Sequence, residues 1–580
     1  MKILYNSTFL AIILLIAISA PALKSLAQNG LYTSHDGETH TARIAQYYLA
    51  LQDFQIPPRI APTLYSSLGS PMFVYIYPAP YFLGAAIHSL GISYQHSFKI
   101  LMAFGFIFSG VFSYLWLKEI FKSQKAALVG AIFYIWAPYR LSLIYVRGSI
   151  SELLAYTFTP LVFYSVTKLS KKLNIKWTAI TALSTALLLL SQNLVAMIIL
   201  PVVGTYILAL AISKKSPKFF ALATLSIIWA AAIASLTYLP SLLEKHYVRL
   251  EEIIAVAYPD HFISLKQLIY SPWGYGFDLV GVVGDQMSFQ LGLAHILVLT
   301  MATSLIIFFA ACVLVHKNFL NSYLEVDSKT LNLSALFLLI FAFSIFLAIK
   351  SSPSIYIWKN IDLLSVIDLP WRLLGVTTLS VAFLAAYVAK SVKITLFSIL
   401  LIAAVLVANR NHLRINEKVL FSDEYFENYS QSATQYGEFT PKTRHTTNAP
   451  EDFNKSEFVD IDEGIAKVRS LENKSNKIIL VVNVETLRAR MRLNRYYFPG
   501  WEIKVDGRKL EPHEITVTGS SYKALNWQKD MSGLMAIRLP AGTHLVEAKF
   551  TETRLRALAD LITFVSLTAA LFVALRYAKT

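Results

Sequence analysis

Four side chains able to move a proton or hold a metal stand within six residues in His35-Asp36-Gly37-Glu38-Thr39-His40. A carboxylate here can serve as a general base. Imidazoles beside carboxylates also suit a divalent metal ion, with His35, Asp36 and His40 as the candidate ligand set. The plain alternative is a polar loop beside a membrane. Arg147-Gly148-Ser149-Ile150-Ser151-Glu152 offers an arginine and a glutamate in one turn, suited to an ion pair or to holding a phosphate. Asp368-Leu369-Pro370-Trp371-Arg372 sets Trp371 beside Arg372, either as interface anchors or, through the forked guanidinium, as a lipid-phosphate contact. Ser191-Gln192-Asn193 brings Asn193 into the candidate set, although turn formation or capping explains it adequately. Asp260-His261, with Tyr258 and Trp273, completes the unusual polar groups.

The elements that must position these residues are membrane spans. Of 580 residues, 55% are hydrophobic and only 15% charged, where a soluble chain carries about a quarter charged residues. Apolar stretches of span length occupy 8–27, 97–117, 126–146, 151–168, 177–191, 194–212, 219–239, 291–314, 331–349, 373–389, 394–409 and 558–576. The run from Phe9 to Ala22 reads as an uncleaved first span rather than a signal peptide cut near Ser25-Leu26-Ala27. Most spans carry no charge at their centre, which argues against a transporter. The single cysteine, Cys312, excludes an intramolecular disulfide.

Lysines orient the spans. With the N-terminus inside and 71–92 not crossing, the inner loops and ends hold 17 basic residues against three acids, Glu119, Glu325 and Asp327. They include Lys2, Lys118, Lys122, Lys125, Lys168, Lys171, Lys214, Lys215, Lys317, Lys393 and Lys579. That is the positive-inside pattern at every short loop. It accounts for most of the net charge of +16 and leaves no basic domain for a nucleic-acid partner. The segment 71–92, broken by Pro71, Pro78 and Pro80, reads as re-entrant or lying on the membrane surface. The expected architecture is a polytopic α-helical membrane protein of about 12 spans, both termini cytoplasmic, in the plasma (inner) membrane. Its bundle covers 1–409, with outer loops 28–96, 240–290 and 350–372. A β-sandwich domain follows over 410–557, and a last span with its tail over 558–580. The 240–290 loop is acidic, through Glu244, Glu251, Glu252, Asp260, Asp278 and Asp285. Strand-like alternation runs from Lys477, with Ala489, Met491 and Leu493 on one face and turns at Asp506-Gly507 and Gly519-Ser520. Asp460-Ile461-Asp462 has the D-x-D spelling of some sugar-nucleotide enzymes but reads as a solvated loop. All five polar motifs fall on the outer face, and no nucleotide-binding glycine loop is present.

An acidic first outer loop, 11 to 13 spans and a C-terminal outer β domain resemble the glycosyltransferase C superfamily. More narrowly, His35-Asp36-Gly37, Arg147-Gly148-Ser149 with Glu152, Gln192-Asn193 and Leu369-Pro370-Trp371-Arg372 resemble the bacterial membrane proteins called 6-pyruvoyl-tetrahydropterin synthase-related. Arg495-Tyr496-Tyr497-Phe498-Pro499-Gly500-Trp501 and Val505-Asp506-Gly507 are similar to the end of YfhO-type membrane glycosyltransferases. The resemblance implies transfer of a sugar from a polyprenyl-phosphate donor in the membrane lipid to an extracytoplasmic glycan or protein acceptor. It implies Asp36 as catalytic base, with Glu38 as second choice. Arg147, Arg372 or a divalent ion near Asp36 would stabilise the leaving phosphate, and Glu152, Asn193 and Trp371 would complete the lipid-phosphate site. A competing reading needs no base: a non-enzymatic protein that binds or translocates a lipid-linked glycan.

Overall fold

The computed structural model describes residues 7–65, 67–250, 258–277, 286–314, 328–392, 394–431, 439, 458–517 and 533–576. Lys2, Lys317, Lys393 and Lys579, the acids Glu251, Glu252, Asp278, Asp285, Glu325 and Asp327, and the turn Gly519-Ser520 lie outside the described residues.

Each of the twelve apolar stretches falls on a helix. Among the described residues, eight helices are long and apolar enough to cross a membrane, or up to ten when each of two bent pairs is one span. The bent pairs are Gln124–Ile135 with Pro138–Arg147, at 46°, and Pro217–Ile233 with Ser235–Leu243, at 74°. Pro138 sits at the first of these breaks, where it cannot donate to the preceding turn. The helix Ile175–Ser191 has 17 residues. The helix Ile150–Leu169 is long enough but less apolar, because it carries Glu152 and several hydroxyls. It is nevertheless buried along most of its length, so these groups face protein rather than lipid. Thr157, for example, donates both to Leu153 O at 2.7 Å and to Gly105 O at 2.8 Å.

The proline-broken segment 71–92 forms two short helices, Met72–Tyr75 and Ala79–His88. The second has 10 residues, which rise about 15 Å, half the hydrocarbon core. It lies along the helix Gly37–Gln52, with Gly84 against the Ile44 side chain. A short strand pair, β1 (Leu31–Tyr32) with β2 (Lys418–Val419), ties the first loop to the chain that leaves the helix Thr395–Asn409.

The C-terminal domain was expected as an antiparallel β-sandwich, and its described strands pair antiparallel throughout. They join in one seven-stranded sheet, in the order β3 (Val459–Glu463), β5 (Lys477–Tyr496), β9 (Leu534–Phe550), β6 (Trp501–Val505), β7 (Arg508–Lys509). β4 (Ala466–Lys474) pairs with β5, and β8 (Thr516–Val517) with β9. The reason is the length of two strands, since β5 has 20 residues and β9 has 17 and both run through the two halves of the domain. Ile478, Leu480, Val482 and Val484 are buried, and then Ala489, Met491 and Leu493, so the inward parity changes from even to odd. The change falls where pairing with β9 slips between Val484 and Arg488. Asp460 and Asp462 lie on strand β3, not in a loop, and Arg492 on β5 engages them at 2.5 and 2.8 Å.

Buried charges bolt the sheet to the bundle. Arg556, in the first turn of the helix Arg554–Arg576, is fully buried and donates Nε to Glu244 at 2.9 Å, below the rings of Phe498 and Phe550. Arg59 reaches Glu552 at 2.9 Å, Asp560 at 2.7 Å and the Leu236 carbonyl at 2.9 Å. Truncating one member of a buried pair strands the other charge, so Arg556→Ala is expected to cost roughly 3–5 kcal/mol. The double change Glu244→Met with Arg556→Met removes both charges and should cost less than the single change. Thermal unfolding in detergent, followed by intrinsic fluorescence, checks both.

Candidate active site

The site is assembled at a main-chain seam. His35 N donates to Val146 O at 3.0 Å and Asp36 N to Arg147 O at 2.8 Å. Residues Leu143–Arg147 form one π-helical turn, and the chain then reverses through Gly148 at φ +61° to start the helix Ile150–Leu169. Only two residues without side chains fit at the crossing. A Cβ on Gly148 would stand 2.4 Å from Ser34 Oγ and 2.9 Å from Gly37 N, and one on Gly37 would stand 2.4 Å from the same hydroxyl. The two glycines of the H-D-G and R-G-S motifs therefore let two outer turns touch, backbone against backbone.

This contact sets Asp36 beside Arg147. Asp36 is the residue before the helix Gly37–Gln52, yet its side chain does not cap that helix. It accepts from Arg147 Nη2 at 2.9 Å instead. The same Nη2 lies 3.1 Å from Glu152 Oε1, and Arg372 Nε reaches that oxygen at 3.3 Å. Arg372 also pairs with Asp368, four residues before it. Glu152 is thus shared by two guanidiniums and is 1% exposed, while Asp36 and Asp368 are 35% and 31% exposed. Tyr139 donates its hydroxyl to Glu152 Oε2 at 3.4 Å. Trp371 lies under the Arg147 guanidinium, 4.8 Å from its ring centre, and Tyr156 donates to the Arg372 carbonyl at 3.0 Å.

Three carboxylates meet two guanidiniums, leaving one surplus negative charge on the partly exposed side. Burial pushes the Asp36 carboxyl up, but Arg147, helped by His40 and His35, outweighs it and holds the group at about 2. Burial raises Asp368 above the ordinary aspartate value despite Arg372.

Asp36, Arg147, Glu152, Trp371 and Arg372 therefore come together, as their motifs suggested. Four other candidates point elsewhere. Glu38 accepts from Tyr425 at 2.6 Å. Asn193 is exposed at the start of the helix Asn193–Lys214, where its Oδ1 takes the Leu194 amide at 3.0 Å and the adjacent Gln192 caps the helix. His35 Nε2 meets Tyr275 O at 2.9 Å, and its ring stacks on Phe277. His40 Nδ1 meets Tyr81 Oη at 3.1 Å. The metal set His35, Asp36, His40 is thus not brought together. Among the described residues, no three His, Cys, Asp or Glu side chains form a group able to hold a metal. His261 is close enough to influence Asp368 electrostatically.

Sequence reasoning passed over Asp368 as a site member, and Tyr139 and Arg140 altogether. Asp368 was visible four residues ahead of Arg372, the spacing of one helical turn. Arg140 was visible as a charge inside the apolar run 126–146. It is fully buried between the rings of Tyr134 and Tyr156, at 5.1 and 5.8 Å, and none of its side-chain nitrogens has a hydrogen-bond partner among the described residues.

Residues 73–270 match a family model described as "6-pyruvoyl-tetrahydropterin synthase related domain; membrane protein". The match covers about a third of the chain and includes Arg147, Glu152 and Asn193 but neither Asp36 nor Arg372. An uncharacterized protein of Lactococcus lactis subsp. cremoris (strain MG1363) is 26% identical over 246 residues, 41% of this chain and 40% of that one. The cryo-EM structure of the arabinofuranosyltransferase AftD from Mycobacteria aligns at 13% identity and a TM-score of 0.37, over 69% of this chain and 26% of that chain. The chain thus spans less than half the length of either.

Two changes test the geometry. Gly148→Ala forces a side chain into the seam at a left-handed φ, which alone costs about 1–2 kcal/mol; the steric clash adds to it, and the melting temperature should drop accordingly. His40 is buried, and with Arg43 nearby its pKa falls to about 3, whereas the unfolded chain protonates near 6.5. Between those values the unfolded state takes up a proton that the folded state refuses, so stability falls as pH drops, by up to about 1.4 kcal/mol per unit. Melting temperatures from pH 7.5 to 5 should decline in the native protein and less in His40→Gln.

Proposed function

We propose that this multi-pass membrane protein transfers a sugar from a polyprenyl-phosphate donor to an acceptor outside the plasma membrane, with Asp36 as general base. The observation that carries the reading is the single ion network of Asp36, Arg147, Glu152 and Arg372, with Asp36 as its accessible carboxylate. The acceptor hydroxyl attacks the anomeric carbon, the carbon–oxygen bond to phosphate breaks with its electron pair going to phosphate, and the hydroxyl proton passes to Asp36. A phosphate leaving group needs little protonation, so one base and a cationic partner suffice. Arg147 has a buried Nε with no hydrogen-bond partner among the described residues. A donor phosphate that draws on this guanidinium loosens its hold on Asp36 and raises the carboxylate's basicity as substrate arrives. Glu152 keeps the two arginines in place.

The outward orientation rests on charge. Lys168 and Lys171 cluster around Glu119, at 2.8 and 2.6 Å, at the opposite end of the helix Ile150–Leu169 from Glu152, which lies in its first turn. By the positive-inside rule that lysine end is cytoplasmic and the Asp36 end faces out. The donor's isoprenoid tail then lies in the membrane beside the bundle, and the acceptor is a glycan or protein of the cell envelope.

A second reading is a protein that binds or translocates a lipid-linked glycan without chemistry. It is favoured by one fact: at rest one Asp36 oxygen accepts from Arg147 and the group is held at about 2. The two readings separate in a deletion strain scored for surface-glycan sugar content. Loss of a general base is worth about 10²–10⁴ in rate, so Asp36→Asn should abolish the sugar while Glu38→Gln retains it. Full complementation by a correctly inserted Asp36→Asn variant, with Arg372→Ala impaired in binding a polyprenyl phosphate, would establish the binding protein instead.

A further inference from the structure

The chain that leaves the helix Gly37–Gln52 turns its surface inside out. Gln55 and Arg59, which are polar, are 5% and 2% exposed, whereas Phe54 and Ile56 are 76% and 81% exposed. The buried polar groups are fully employed. Gln55 Oε1 accepts from the Arg59 and Ile60 amides, both at 3.0 Å, and Gln55 Nε2 donates to Ser475 Oγ at 2.8 Å. Asp53 accepts from the Ser475 amide at 2.8 Å. Phe54 itself sits at φ +61°, a conformation that a bulky residue adopts only when its surroundings enforce it. Water would favour the opposite arrangement, since each exposed ring or branched chain forgoes burial. Phe82, 53% exposed on the helix Ala79–His88, extends the patch. Between the two helices lies a cavity of about 270 Å³ whose lining includes Tyr48, Leu51, Phe54 and Phe82, together with the polar Gln52 and Ser89.

The level of this patch is fixed by its neighbour. Arg59, three residues beyond Ile56, is bonded to Glu552 and Asp560, which flank and open the span Arg554–Arg576, and to the Leu236 carbonyl in the bent pair. The patch therefore stands beside the start of one helix of span length and the bend of a helix pair. Lys474 lies 5.3 Å above the Phe54 ring, on the hairpin that carries Ser475, so a cation borders the apolar surface on the domain side. Apolar groups below and an amino group above are the order of an interface, with acyl chains beneath phosphate headgroups.

We propose that Phe54, Ile56 and Phe82 are immersed in the lipid leaflet from which the last helix begins, with phospholipid acyl chains filling the groove between the helices Gly37–Gln52 and Ala79–His88. The first outer loop is thereby anchored to the membrane surface at the end of the helix remote from Asp36. This anchoring is independent of any reaction at Asp36.

The test is depth measurement by spin labelling. Nitroxides are attached to Phe54→Cys, Ile56→Cys and Phe82→Cys, each in a Cys312→Ser background, in vesicles of phosphatidylethanolamine and phosphatidylglycerol. Phe564→Cys, exposed within the span Arg554–Arg576, reports correct insertion, and Lys467→Cys, exposed on the sheet, reports water. The three patch labels should collide with oxygen several-fold more than with a water-soluble nickel chelate, as at 564 and opposite to 467. Nickel access equal to that at 467 would overturn the proposal. Shielding from both quenchers would also overturn it, since a second copy or another protein would then cover the patch.

Discussion

A carboxylate buried among apolar helices is costly unless its charge is met twice over. Glu152 is met by Arg147 from the preceding turn and by Arg372 from the start of a distant helix. The orientation of both arginines follows from that arrangement. Arg147, drawn inward by Glu152, still offers the same nitrogen to Asp36. Arg372, drawn across, brings Trp371 under the Arg147 guanidinium and Asp368 to the rim. Were Glu152 apolar, two guanidiniums would face each other in a buried space with nothing between them.

Glu152 is enclosed and committed to both guanidiniums, whereas Asp368 and Asp36 each share one guanidinium with it and stay partly exposed. What sets Asp36 apart is its main chain. Its position is not a matter of side-chain choice. The main chain is clamped on both sides of it, by the two amide bonds to the π-helical turn and by the contact of Gly37 with Gly148. The backbone thus holds the Asp36 carboxylate in place while leaving it partly open.

Much of this was readable from residue order alone. The apolar runs located the helices, and the H-D-G, R-G-S and P-W-R motifs held the residues that meet. Direction was not readable. Spacing of i and i+4 puts His40 on the same helix face as Asp36, but its ring turns to Tyr81, and Glu38, two residues from Asp36, turns to Tyr425 instead. These partners come from segments distant in sequence, so no local pattern announces them. The β domain shows the same limit. Alternation along β5 was legible, and its change of parity was present in the residues, but a bulge belongs to a pair of strands and cannot be assigned from one. Arg140 was missed because the span that holds it is apolar on average, and averaging conceals a single charge.

The placement of Glu152 has a consequence in time. Arg147 and Glu152 are made within moments of each other, but Arg372 follows 220 residues after Glu152. At about 5–20 residues per second, synthesis of that interval takes roughly 10–40 s. Through that interval Glu152 has Arg147 and Tyr139 already made beside it, while Arg372 is still to come. The short loop that joins the two residues thus carries a neutralised pair into the bilayer as one unit, and the later arginine closes a site whose first half has been waiting for it.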